Sequence, residues 1–268
     1  LAFNEKTVLG KTALNVGRLG ISSSYGAPSA AFEEAFERGC NYFTWGTFIK
    51  GRSSEMNKAI RNIIAKGQRD QLVIALWSYS HIGFLTEPFL RSALKSLGTD
   101  YVDVLLLGYY PKPPRARVLD SAFRVQEKGL ARFIGVSGHN RNLFPILYQK
   151  NEFDVFHFRY NAAHRGAELD IFPALNGGTP PGMVSFTATR WGQLLNPAKM
   201  PPGEQPLSAT DCYRFALNNP AVDVCMMGVR DPEQMRQNLA LLEMPHLSEE
   251  EMARIRRIGD YLHSRKDN

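Results

Sequence analysis

A chain of 268 residues with 44% hydrophobic and 22% charged side chains is long enough to bury one sizeable core and too apolar to be disordered. No apolar run approaches the roughly 18 residues that cross a bilayer as a helix, and LAFNEKTVLG lacks the charged start and apolar centre of a secretory signal. The expectation is a cytoplasmic protein with no membrane partner. The formal charge of +6 comes from basic residues dispersed along the chain, which suits a small anionic ligand and gives no support to nucleic-acid binding.

Taken in chain order, TVLGKTALNVG (7 to 17) predicts a hairpin, and RLGIS (18 to 22) the first of a series of buried strands. The further strands are NYFTW (41 to 45), QLVIALW (71 to 77), VDVLLL (102 to 107), ARFIGVS (131 to 137), FDVFHFRY (153 to 160), GMVSFTA (182 to 188) and VDVCMMG (222 to 228). Amphipathic stretches separate them, among them SAAFEEAFERG, SEMNKAIRNIIAKG, EPFLRSALKSLG, VLDSAFRVQEKG and DPEQMRQNLALLE. Several end in Gly, which most easily takes the left-handed conformation that closes a helix. NGGTPPG (176 to 182) is a loop, and the Pro-rich LNPAKMPPGEQPLS (195 to 208) a long excursion of the kind that covers a ligand. SEEEMARIRRIGDYLHSR predicts a final extra helix.

Eight strand and helix pairs run from end to end with no break in composition, which predicts one domain, residues 1 to 268. Parallel strands joined by right-handed crossovers close at that number, and about 250 residues is the usual size, so the fold expected is α/β, a (β/α)8 TIM barrel. The N-terminal hairpin should cover its bottom and the C-terminal helix flank it. A doubly wound open sheet is the rival, but ISSSYGAP after the first strand is no Gly-rich phosphate turn.

The site of such a barrel lies where the strands end. Those ends bring Ser22, Thr44, Trp45, Trp77, Gly108, Tyr109, Ser137, His139, Tyr160, Asn161, Thr187 to Trp191, and Gly228 to Arg230, without a carboxylate or a lysine. Six scattered histidines give no metal ligand set, and Cys40, Cys212 and Cys225 are too widely spaced for a disulfide framework or a CxxC site, so they read as reduced, buried thiols. The informative stretch is VCMMGVRDPEQMRQNL (224 to 239), where a strand stops at Gly228 and a helix starts at Asp231 or Pro232. Two readings are open there. Free N–H groups with Arg230 beside them form a phosphate site, with Gln234 and Asn238 on one helix face, or Asp231 simply caps a surface helix.

At these residues the chain resembles the aldo/keto reductases over nearly its full length. LGKTALNVGRLGIS, GCNYF, TDYVDVLLL, ARFIGVSGHN, FRYN and GVRDPEQMRQN follow that family's motifs in order. The resemblance implies a (β/α)8 barrel, able to act as a monomer, that binds NADPH extended across its mouth and reduces aldehydes and ketones. It implies cofactor contacts at Ser137, Thr189, Arg190, Gly228, Arg230, Gln234 and Asn238. It also implies a departure. The family's catalytic aspartate falls at Thr44, its tyrosine at Ile49, its lysine at Trp77 and its histidine at Gly108; the asparagine beside the carboxamide serine is Gly138, the sixth-strand glutamine is His157 and the nicotinamide-stacking tyrosine is Thr187.

A positioned acid contributes about 10²- to 10⁴-fold to carbonyl reduction, so without one the family's reaction should be slow. Replacement donors must come from His139 or Tyr109, with Arg190 as a fixed charge for an oxyanion. The plainer readings are a loop histidine bonded to backbone, and an aromatic wall formed by Tyr109 and Tyr110. Trp45, Trp77 and Trp191 read as apolar lining. Three functions stay open: an NADP(H)-dependent oxidoreductase of altered mechanism, a non-catalytic pseudoenzyme binding a nucleotide or another small molecule, and a different reaction class in the same barrel.

Overall fold

Eight parallel strands close on themselves in the computed structural model, which describes residues 3–46 and 53–265. A two-residue antiparallel ladder comes first, β1 (Thr7–Val8) with β2 (Asn15–Val16). The barrel follows: β3 (Leu19–Ser22), β4 (Tyr42–Trp45), β5 (Val73–Ser78), β6 (Val102–Leu107), β7 (Ala131–Gly138), β8 (Val155–Arg159), β9 (Gly182–Phe186) and β10 (Val224–Met227). Each strand pairs with its successor, and β10 returns to β3 through Met226 opposite Gly20.

The strands read as nearly continuous apolar runs because both of their faces are buried. Tyr42, Val73, Ala75, Val104, Leu106, Val155, Val184 and Val224 point inward and form the barrel's own core. Their alternates, such as Phe43, Ile74, Leu105, Phe156 and Phe158, point outward under the helices. The hairpin plugs the bottom of the inner core: Leu9, Leu14 and Val16 join it. A Cβ on Gly182 would sit 2.5 Å from the Leu9 side chain, so glycine there lets the plug seat.

The outer layer holds α1 (Ser29–Glu37), α2 (Ser54–Ala65), α3 (Thr86–Leu97), α4 (Ala116–Glu127), α5 (Leu143–Lys150), α6 (Ala167–Asp170), α7 (Ala209–Leu217), α8 (Pro232–Leu239) and α9 (Glu249–Ser264). Ser208 with Asp211 and Ser248 with Glu251 form reciprocal caps that start α7 and α9. The crossover after β8 is weaker than its neighbours, with α6 only four residues long. The excursion after β9 is broken into 3-10 turns at Gln193–Leu195 and Pro197–Lys199 before α7 begins. Cys40, Cys212 and Cys225 are buried and free, and burial pushes the Cys40 and Cys225 thiols up to about 12. Among the described residues no helix is long and apolar enough to cross a membrane.

Candidate functional site

A cavity of about 570 Å³ opens at the C-terminal ends of the strands and runs from β5 and β7 across to β10 and α8. The β10 end is polar. Asp231 caps α8 by accepting the Gln234 N–H at 2.8 Å, and the Gln234 side chain in turn accepts the Arg230 N–H at 2.9 Å. Pro232 occupies the first helical position, where no N–H is needed. This network fixes the chain entering α8 and leaves the Arg230 guanidinium exposed, with no hydrogen-bonding or acidic partner among the described residues. Asn238, one turn along from Gln234, is only 3% exposed and lines the cavity, and its side-chain amide has no hydrogen bond among the described residues. The neighbouring Arg236 is engaged elsewhere, with Glu34 at 3.0 Å.

The opposite end is aromatic. Trp77 stacks on Tyr79 (5.3 Å, 19°) and on Tyr109 (5.9 Å, 13°). Tyr109 stacks on His139 (5.6 Å, 2°), and His139 meets the Phe186 ring edge-on at 5.3 Å. Tyr79 and Tyr109 are also joined by a hydrogen bond; burial is the main cause that pushes the Tyr79 phenol well above its ordinary range. On the floor, His157 lies 2.7 Å from the Tyr42 hydroxyl, and burial pushes it down to about 3, so its ring is neutral. Ser137 is fully buried and lines the cavity, and its hydroxyl has no hydrogen-bond partner among the described residues. Such a group normally finds a partner, and a ligand amide in the cavity would supply one.

Gly108 carries no side chain because its space is taken. A Cβ there would lie 2.7 Å from the Tyr79 ring and 3.3 Å from Trp77. The Gly108 N–H donates to Ser78 at 2.9 Å, so the backbone cannot retreat without breaking the ladder. Gly108→Ala is therefore expected to destabilise by about 1–3 kcal/mol through overpacking, and by clearly less when Tyr79 is also replaced by Ser. Denaturant unfolding of the two single variants and the double variant checks this coupling; equal costs in both backgrounds would contradict it.

The loop after β9 holds unusual backbone. Thr187, Arg190 and Trp191 all have positive φ, at 64°, 51° and 51°. A left-handed L-residue costs about 1–2 kcal/mol, and a β-branched one is rarer still. Two anchors hold the loop: Asn161 donates to the Thr187 carbonyl at 2.8 Å, and Arg190 donates to the Leu262 carbonyl of α9 at 2.9 Å. Trp191 is thereby set at the cavity edge, 64% exposed.

An aldo/keto reductase family model matches residues 207–260, the segment from α7 through β10 and α8 into α9. Human aldo-keto reductase family 1 member C2 is 28% identical over 144 residues, 45% of this chain and 44% of the relative. Mouse aldo-keto reductase family 1 member D1 is 24% identical over 149 residues, 47% of this chain and 46% of the relative. The chain thus spans less than half the length of each of these curated relatives. Aldo-keto reductase AKR11C1 from Bacillus halodurans, in its holo form, superposes with a TM-score of 0.79 at 18% identity, covering 95% of this chain and 96% of its own. Residues 207–260 match the aldo/keto reductase family model, and the whole chain has the fold of a solved aldo-keto reductase. A putative aldo-keto reductase from Pseudomonas aeruginosa shares the fold, with a TM-score of 0.69 at 19% identity, over 90% of this chain and 95% of its own.

Of the residues that the family resemblance singled out, Ser137, Thr189, Gly228, Arg230, Gln234 and Asn238 line one cavity, as do His139 and Tyr109. Arg190 is turned away: it is buried at 5% exposure against α9, and it anchors the loop without lining the cavity. Thr189 accepts the Gly192 N–H at 3.2 Å, so its hydroxyl also serves the loop. Among the described residues His139 has no hydrogen bond to backbone; it has two ring contacts, and burial followed by the charge of Arg159 holds its imidazole below the usual range. Trp45 does not line the mouth, because on β4 it alternates with inward-facing Thr44; it packs in the outer core and donates to the Ser53 carbonyl at 2.9 Å. Tyr110 is buried beneath Tyr109, stacked on His81 at 4.2 Å.

Ile49 lies outside the described residues. Among the described residues that line the cavity there is no lysine and no carboxylate, and among all described residues no cluster of potential metal ligands occurs. Sequence reasoning missed Tyr79, which lies one residue past β5 and fills the space above Gly108.

Proposed function

We propose that this chain is an NADP(H)-binding member of the aldo/keto reductase family whose usual catalytic tetrad is replaced, so that proton delivery rests on uncharged phenols and reduction of simple carbonyls is slow. The observation that carries the reading is one continuous cavity with the Arg230 and Asn238 side chains at one end and the Ser137 hydroxyl at the other, none of them with a partner among the described residues. These groups fit an extended dinucleotide. Arg230 would take the phosphate on the adenosine, Asn238 would read the adenine edge with its amide, and Ser137 would bond the nicotinamide carboxamide. The family likeness is also concentrated on the segment that carries Arg230, Gln234 and Asn238. When bound, the reduced cofactor supplies a hydride.

The chain's own residues then have to supply a proton to the carbonyl oxygen. The hydrogen-bonded Tyr79 and Tyr109 hydroxyls are the nearest phenols to the emptied post at Gly108, and the Tyr109 side is half exposed to the cavity mouth. Trp77 stacks on both as a flat apolar ring, where an ammonium would have stabilised a phenolate. Without that cation a phenol remains a weak acid, which forgoes much of the roughly 10²- to 10⁴-fold that a tuned donor contributes. His157 is neutral and buried below, and cannot act as the acid near neutral pH. The stacked aromatic walls suit flat substrates such as quinones and enones, which need less from an enzyme-bound acid.

The test is to offer NADPH with a panel of aldehydes, ketones, quinones and enones and to follow its oxidation. Turnover of quinones or enones with little on simple aldehydes is expected, with no fall in rate between about pH 6 and 9, since a phenol held above its ordinary range does not ionise there. Brisk aldehyde reduction would overturn the altered mechanism. Binding without any oxidation across the panel would make the chain a non-catalytic binder.

A further inference from the structure

We propose that the mouth holds a second anion site, centred on Arg159, which takes a carboxylate carried by the substrate; the inference rests on the cofactor reading above. On β8 the inward positions alternate. Val155 belongs to the inner core, His157 lines the cavity floor, and Arg159 is the next residue of that series, just beyond the residues that line the cavity and close enough for its charge to reach His139. It stands opposite Phe186 in the β8–β9 ladder, and Phe186 in turn packs edge-on against His139.

Arg141, whose charge reaches Arg159, has a partner, as do Arg165 and Arg256 further along the chain. Arg141 pairs with Asp170 at 2.6 Å, Arg165 with Asp260 at 2.6 Å, and Arg256 with Glu168 at 2.9 Å. Arg159 is half-buried, and its guanidinium has neither a hydrogen bond nor an ion pair among the described residues. Burial, and then the positive charges of Arg141 and Arg190, hold its guanidinium below the usual range.

A half-buried cation among like charges is unfavourable until an anion joins it. The planar guanidinium fork matches a carboxylate. The anion is assigned to the substrate by position. Arg159 is on β8, next to β7, whose Ser137 would hold the uncharged carboxamide, while the phosphate-binding candidate Arg230 is beyond β10 at the other end of the cavity. The substrate class that follows is a flat carbonyl or quinonoid compound bearing a carboxylate.

The experiment uses the full chain saturated with NADP⁺ and compares 4-carboxybenzaldehyde with its methyl ester, following tryptophan fluorescence, since Trp77 and Trp191 both line the cavity. The acid is expected to bind roughly tenfold or more tighter than the ester, as the loss of a charge-assisted pair implies. Arg159→Gln should erase that preference and Arg159→Lys should keep part of it, with NADP⁺ affinity changed by no more than about twofold. Equal binding of acid and ester by the wild-type chain, or a preference that survives in Arg159→Gln, would overturn the proposal. A large loss of NADP⁺ affinity in Arg159→Gln would do so too, by giving Arg159 to the cofactor's phosphates. Failure of the wild-type chain to bind NADP⁺ at all would overturn the underlying cofactor reading instead.

Discussion

Below pH 6.5 His157 is expected to draw stability out of the folded protein, so that His157→Gln loses stability less steeply than wild type as pH falls, while buried Asp223, pushed up to about 6, acts in the opposite sense in both. The ring is fully buried and held at about 3, whereas in the unfolded chain it titrates near 6.5. Between these values the unfolded state binds the extra proton, so the contribution of His157 is complete above about pH 6.5 and falls as pH drops toward about 3. The slope is about 1.4 kcal/mol per pH unit, or about 3 kcal/mol lost by pH 4.5. Glutamine can still bond the Tyr42 hydroxyl, which the wild-type ring meets at 2.7 Å, but has no proton to take up. Urea unfolding at several pH values decides the matter. A variant with the same slope as wild type would show that the histidine is accessible to protons in the folded barrel.

Arg230→Ala is expected to raise the dissociation constant for NADPH by roughly 10- to 100-fold, as loss of charge-assisted hydrogen bonds to a phosphate implies. Binding of NADH, which lacks the extra phosphate, should change by no more than about threefold. The contrast follows from the free guanidinium at the entry to α8, whose backbone N–H is already committed to Gln234. Arg236 cannot substitute while Glu34 holds it. Because the contact is exposed, raising salt should weaken NADPH binding to the wild-type chain and hardly affect the variant. Equal losses for the two dinucleotides would remove the phosphate role from Arg230.

Much of this architecture was legible in the residues. Runs such as VDVLLL and ARFIGVS are apolar on both faces, which only a barrel or a covered parallel sheet requires, and they became β6 and β7. Asp231 and Pro232 marked the start of α8 with the side chain that caps it. Trp45 was misread as lining of the mouth, although period-two alternation with Thr44 sends it outward into the core under the helices.

The missing part lies in what one strand end does to another. Gly108 is explained by Tyr79, a residue on a neighbouring connection whose ring position no local pattern reveals. Arg190 was placed at the cofactor because it follows β9, but positive φ at Arg190 and Trp191 turns the loop and sends its guanidinium to α9. Nothing in the sequence announces left-handed backbone at those two side chains. Arg159 passed unnoticed because only the assembled barrel shows that Arg141, Arg165 and Arg256 pair with carboxylates while its own guanidinium has none among the described residues.

The central claim is that the cavity grips a phosphorylated adenosine dinucleotide while no cation assists its proton donors. Titrating NADPH into the protein tests this most directly, with tryptophan fluorescence as the readout, followed by competition with adenosine 2′,5′-bisphosphate and then with nicotinamide mononucleotide. The account predicts saturable quenching that the adenosine bisphosphate reverses far better than the mononucleotide. No saturable change, or reversal by the mononucleotide alone, would contradict it.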